Sequence, residues 1–300
     1  QEILGSLDEH GQDIDVNNLS RQTLFAPHSL SFPIAGTIPT LQSFTEETLK
    51  QHHQEFYSGE NIIVCLTGAI DPHTCLPLTE SAFASLPPGQ RQQRSLLPDS
   101  WRGSRWNYLA YDDSQSDLRV CFDCPGELDS TVVALQLLAR ILDDGMSTRL
   151  HRVLCEQKGL VYDVFGALEL FQERGVYDIG VSIEQSKVPV VVEAIIELLQ
   201  DLRHNGLIPG ELETAQRRSL WDLQTSVDHA EETAFFLATR ALLGKQESLD
   251  ELKQQIAAVT PKDIMGLVNT IFTQERLHAV CIGRLGSNLE ARTLDALERL

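Results

Sequence analysis

Two stretches of this chain, 215 residues apart, follow one plan. Thr45-Glu-Glu-Thr-Leu leads to Asn61-Ile-Ile-Val-Cys-Leu-Thr-Gly68, and Thr260-Pro-Lys-Asp-Ile leads to Arg276-Leu-His-Ala-Val-Cys-Ile-Gly283. In each, a threonine starts a helix, a strand-like apolar run begins 16 residues later, and a glycine stands 23 residues after the threonine. An offset of this length points to a duplicated domain rather than a short solenoid repeat. The second copy has 178 residues between Arg105 and Gly283, whereas only 68 lead up to Gly68. The comparison therefore predicts an incomplete first domain, its N-terminal half missing from this chain.

The punctuation divides the rest. Residues 1–86 hold the first copy, with a short helix after Asn17-Asn18. A capping box at Ser43-Phe44-Thr45-Glu46 opens a helix running to about Tyr57, Asn61–Gly68 reads as a buried strand, and a helix covers about Pro72 to Leu86. Residues 87–105, PPGQRQQRSLLPDSWRGSR, have no periodicity and form a linker. Residues 106–285 hold the second copy. Trp106–Asp112 and Asp117–Cys124 read as a strand pair, followed by a helix to Leu142 and another over Ser147–Gln157. Strands then cover Val161–Leu170 and Gly175–Glu184, and Ser186 caps the next helix. From Pro209, the positions Leu223, Val227, Ala230, Ala234, Leu237 and Ala241 mark one face of the longest helix. Residues 286–300 are a C-terminal helix.

Composition narrows function. The chain has 300 residues, 42% of them hydrophobic, enough for a core and natural for two domains. A net charge of −19 argues against a binder of nucleic-acid backbone, and no run approaches the length of a membrane span. Six cysteines are scattered among apolar neighbours, which indicates reduced thiols in the cytoplasm or another reducing compartment.

Most candidate sites have plainer explanations. His52-His53-Gln54-Glu55 puts His52 and Glu55 on one helical face, but Phe56 stands where a second zinc imidazole would be, so a solvated face is preferred. Cys121-Phe-Asp-Cys124 is a lone CxxC whose ends point to opposite sides of a strand, which suits neither a metal nor a redox centre. Asp228-His229 with Glu231 and Glu232 is the charge pattern of an acidic helix. Asp143-Asp144-Gly145-Met-Ser-Thr-Arg149-Leu150 is a corner between helices, explained by a C-cap glycine and a serine N-cap.

TEETLKQHHQEFYSGENIIVCLTGAID and LLARILDDGMSTRLHRVLCEQKGLVYDV together resemble the pitrilysin/insulinase-type zinc metallopeptidases, nearest the mitochondrial-processing-peptidase-like branch. The second passage carries Gly145, Arg149, Leu150, Gly159, Leu160 and Tyr162 at that family's positions. The resemblance implies an α+β fold of duplicated two-layer domains, each a mainly antiparallel sheet covered by helices. It implies a zinc motif, HxxEH, in the first half of the first domain. No HxxEH occurs here, and Gln1-Glu2-Ile3 resembles the segment just after the third zinc ligand. No catalytic residue, metal ligand or cofactor is therefore expected in this chain, with zinc held by the intact protein.

The resemblance further implies a substrate-gripping arginine and tyrosine in the second domain. Tyr162 matches the tyrosine, but Cys155 stands where the arginine is expected, leaving Arg149 or Arg152 as substitutes. The implied function is the C-terminal portion of a zinc endopeptidase, forming a chamber wall for peptides or unfolded segments. The alternative is a non-catalytic partner or structural subunit of a peptidase-like complex, in a homo- or heterodimer.

Overall fold

A computed structural model describes residues 2–92, 95–98, 103 and 105–300. Gln1 and parts of the expected 87–105 linker lie outside these residues. The chain begins with α1 (Glu2–Gly5), α2 (Val16–Phe25), α3 (Ile38–Ser43), α4 (Glu46–Phe56) and α5 (Pro72–Phe83). Next come β1 (Trp106–Ala110), β2 (Ser116–Pro125), α6 (Val132–Leu142), α7 (Arg149–His151), β3 (Phe165–Leu170), β4 (Arg174–Ile183) and α8 (Val188–Asn205). The remainder is α9 (Glu211–Ser226), α10 (Ala230–Leu242), α11 (Leu249–Ala258), α12 (Pro261–Ile271), β5 (Leu277–Gly283) and α13 (Ser287–Leu297). The fold is α+β, and its one sheet among the described residues is mainly antiparallel, as expected.

The chain divides into two compact units. The first comprises Gln1–Gly36, Leu96–Ser219 and Gln255–Leu300. It contains the sheet, ordered β1-β5-β2-β4-β3, in which only β1 and β5 run parallel. Alternation along β2 sets the layers. Phe122 is fully buried and meets Phe272, just past α12, edge-on at 5.0 Å. Cys121 points the other way, into a cluster with Leu24 and Phe25 of α2. Helix α8 buries Val188, Val191, Val192, Ile195, Leu199 and Leu202, the apolar side read from its period. The expected strand pair is corrected: β1 does not touch β2, because β5 inserts between them and bonds to both. A short connection favours a hairpin, but the pairing of Leu118 with Cys281 and Val120 with Ala279 places a fully buried strand at the centre instead. Ser186 is no cap; its hydroxyl donates to Glu184, and α8 starts after Lys187.

The second unit comprises Thr37–Ser95 and Leu220–Gln254. Here the capping box lies two residues later than expected: Thr45 accepts from the Thr48 N–H, and Thr48 accepts from the Thr45 N–H. Ser43 ends α3, its hydroxyl donating to the Thr40 carbonyl. The continuous helix through residues 223–241 is also corrected. It breaks between α9 and α10, where Thr225 donates to the Trp221 and Asp222 carbonyls and Ser226 to that of Leu223. Hydroxyls that compete for helical carbonyls, followed by β-branched Val227, weaken the helix at the point where it ends.

The buried strand expected at Asn61–Gly68 is not formed. Residues 62–67 are extended but unpaired, with Ile63, Val64 and Leu66 each more than two-fifths exposed. A strand exists only when a neighbour takes its backbone N–H and C=O groups, and none lies beside it among the described residues.

The helices of the two copies nevertheless agree in detail. Helices α4 and α12 have 11 residues each, both open with a capping box, and both end on an aromatic residue outside the helical region. Tyr57 has φ −90° and ψ 76°, and Phe272, 215 positions on, has φ −83° and ψ 70°. The next turn repeats too: Asn61 N–H donates to the Ser58 carbonyl, and Arg276 N–H donates to that of Thr273.

Candidate functional site

The corner after α6 is built by one glycine and one arginine. Gly145 has φ 107°, a conformation that side chains rarely adopt, and it lets the chain turn from α6 towards α7. Arg149 then points inward and is only 3% exposed. Its Nε and Nη2 bind both oxygens of Glu211, at 2.8 and 2.7 Å, and Nη2 also donates to the Gly206 carbonyl at 2.8 Å. This bidentate geometry ties the corner to the start of α9.

Beyond α7 the helix widens into a π turn over Arg152–Gln157, the Lys158 N–H reaching back five residues to the Val153 carbonyl. Cys155 sits half-buried on this turn. Partial burial, with Asp163, Glu156 and Asp143 nearby, raises its thiol pKa, so the protonated form is favoured. Gly159 ends the turn at φ 58°, and Tyr162 follows, fully exposed and without a side-chain hydrogen bond among the described residues. The structure therefore separates the residues singled out from sequence: Tyr162 faces out, Arg149 is buried in an ion pair, and Cys155 lies on the widened turn.

Three residues after Tyr162, β3 begins the edge of the sheet. The Phe171 N–H donates to the Arg174 carbonyl, so odd-numbered positions face β4 and even-numbered ones face away. The Gly166 N–H, on the outward side, is taken by the Asp143 carboxylate at 2.7 Å. Leu168 and Leu170 present the next outward backbone groups.

A second feature escaped sequence reading because its residues are brought together only by strand pairing. Cys121 lies opposite Asp178, and Arg119 opposite Gly180. Arg119 makes an ion pair with Asp178 at 3.3 Å without hydrogen-bond alignment, and its guanidinium lies 4.3 Å over the Phe165 ring. Gly180 permits this: a Cβ there would lie 2.2 Å from both the Phe165 ring and the Arg119 guanidinium. Burial raises the Asp178 carboxyl from 3.8 to about 6 despite Arg119. Because the folded chain holds that proton longer than the unfolded chain, this group's contribution to stability falls as pH rises from about 4 to about 6, then levels off. A rise of that size corresponds to about 3 kcal/mol. Urea unfolding of wild type and Asp178→Asn at pH 4.5 and 7 checks this: the wild type should lose stability relative to the variant across that window. Burial also raises the Cys121 and Cys124 thiols well above their ordinary value, and Cys281 to about 12, so all three are unreactive at neutral pH.

Among the described residues, no group of three or more His, Cys, Asp or Glu could hold a metal ion. His52 stacks on Phe56 at 4.3 Å and His53 on Tyr57 at 4.5 Å. The donors present do not fit a zinc centre. No described helix is long and apolar enough to cross a membrane.

The sequence pattern of the family described as "Peptidase M16 inactive domain" matches residues 43–219. The chain belongs to this family. It is 25% identical to an uncharacterized zinc protease of Bacillus subtilis, YmxG, over 89% of this chain and 65% of the relative. It is 24% identical to an uncharacterized zinc protease of Streptomyces coelicolor over 94% of this chain and 63% of the relative. The chain thus spans just under two thirds of the length of these curated relatives. Its fold is similar to the crystal structure of a peptidase M16 inactive domain from Pseudomonas fluorescens, with a TM-score of 0.82 and 19% identity over 90% of this chain and 65% of that one. An M16-like peptidase from Alicyclobacillus acidocaldarius gives a TM-score of 0.78 and 17% identity over 95% and 68%.

Proposed function

We propose that this chain is the C-terminal portion of a zinc-dependent endopeptidase and forms one wall of the chamber that receives its substrate. On this reading residues 1–86 are the C-terminal part of the first peptidase-like domain, residues 87–105 a linker, residues 106–285 the second, zinc-free domain and residues 286–300 its closing helix. Zinc and the groups that activate water belong to the part of the protein encoded upstream. The observation that carries the proposal is the full exposure of Tyr162 beside the outer edge of β3. A phenol held out just before an edge strand suits an extended peptide, whose recognition comes mainly through main-chain hydrogen bonds. Peptides and unfolded segments are the substrates this arrangement accepts. Six free cysteines fit a reducing compartment such as the cytoplasm.

The test is a longer protein that includes the upstream coding sequence. It should carry HxxEH and cleave unfolded peptides in a chelator-sensitive way. In it, Tyr162→Ala should lower kcat/KM about tenfold, equivalent to about 1.4 kcal/mol of transition-state binding. The same change should leave unfolding stability within about 0.5 kcal/mol, since nothing packs on the ring. Equal kcat/KM for the two proteins would remove Tyr162 from the site.

One observation favours a second reading, a non-catalytic partner subunit. Cys155 stands at the arginine position, and Arg149, a candidate substitute, is held by Glu211. That reading gains if the full-length chain cleaves nothing alone and co-purifies with a separate HxxEH-bearing chain, whether as a homo- or heterodimer partner.

A further inference from the structure

Among the described residues, none answers the charge of Arg152 with a hydrogen bond or an ion pair. Its side chain is half-buried, its Nε is closed off from solvent, and it makes no hydrogen bond or ion pair. A buried guanidinium N–H normally meets a carboxylate or carbonyl, because an unmatched buried donor is costly. Arg152 opens the π turn, and widened turns of this kind recur at functional sites.

Arg152 lines a cleft of about 270 Å³ between the end of α6 and the start of α9. Arg140 and Arg218 line the same cleft, and both lean on one carboxylate, Asp144, at 3.1 and 3.3 Å. Glu211 also lines it, but Arg149 already holds both of its oxygens. Arg152 and Arg218 therefore line the cleft beside a single carboxylate, Asp144, that Arg149 does not hold. In a chain with a net charge of −19, such a local surplus of cations runs against the surface as a whole.

We propose that this cleft binds a small oxyanion, a phosphate or a peptide carboxylate, with Arg152 as its main ligand and Arg218 as a second. Planar guanidiniums match both groups through paired N–H donors. Tyr162 does not line this cleft, and phosphate binding to it can be read whether or not the proposed peptidase function holds.

The experiment is thermal unfolding of the 300-residue chain in inorganic phosphate against chloride at matched ionic strength. The wild type should show a saturable rise in Tm, as expected for a ligand that binds only the folded state. Arg152→Met should weaken the apparent phosphate affinity at least tenfold, while its Tm in chloride equals or exceeds that of the wild type, because an unmatched charge has been removed. Should Arg152→Met fail to fold, Arg218→Gln serves as the second variant and should weaken phosphate several-fold. Competition by a short peptide with a free C-terminus, but not by its amide, assigns the site to peptide carboxylates. Binding of phosphate without such competition assigns it to free phosphate. An absent or non-saturable response in the wild type overturns the proposal, as does an unchanged response in either variant.

Discussion

Replacing Arg149 by methionine is expected to lower the unfolding free energy by about 3–5 kcal/mol, the usual consequence of stripping one partner from a buried ion pair. The reason lies in what remains. Glu211, with a side chain 15% exposed, would keep a charge whose two oxygens have each lost a hydrogen bond from the guanidinium, and the Gly206 carbonyl would lose its donor. Equilibrium urea unfolding measures the loss directly. The double variant Arg149→Met/Glu211→Met should recover most of it, because the uncompensated carboxylate goes as well. Recovery of less than a third would mean that packing of the arginine stem, not the charge pair, dominates the site. A substrate-gripping arginine would behave differently: its removal would affect peptide binding and leave stability nearly intact.

That contrast shows where sequence was informative. Helices α6, α8 and α12 and strands β2 and β4 were legible because their apolar residues recur at one clear period and are all drawn to one core. Gly145 and Arg149 were recognisable as a motif, but a motif does not state which way a side chain turns. The partner that draws Arg149 inward is 62 residues away, on another helix. The same applies to Arg119 and Asp178, which meet only through the β2–β4 register, and to Arg152, whose side chain has no hydrogen-bond or ion-pair partner among the described residues. Local pattern also misled where propensity and tertiary setting disagree. The apolar spacing through residues 223–241 is helical throughout, yet the hydroxyls of Thr225 and Ser226 end the helix. At Asn61–Gly68 the β-branched run is strand-like, yet a strand needs a neighbour that the run itself cannot supply.

The sequence repeat of residues 45–68 at 260–283 turns that last point into a measurable difference between two residues 215 positions apart. Phe272 is fully buried and meets Phe122 at 5.0 Å and Tyr177 at 6.0 Å, both edge-on. Tyr57 occupies the same place at the end of its helix with the same backbone angles, but about half of it is exposed. Phe272→Ala should therefore cost about 3–5 kcal/mol in urea unfolding, as for other large-to-small changes in a core. Tyr57→Ala in this chain should cost less than about 1 kcal/mol. In a longer protein that supplies a sheet beside residues 62–67, the Tyr57→Ala cost should rise towards the Phe272 value, and the amides of residues 62–67 should become protected from hydrogen exchange. If Tyr57→Ala stays cheap in the longer protein, the two helices share their caps and end angles but not a common packing role, and the duplicated-domain reading of residues 1–86 fails.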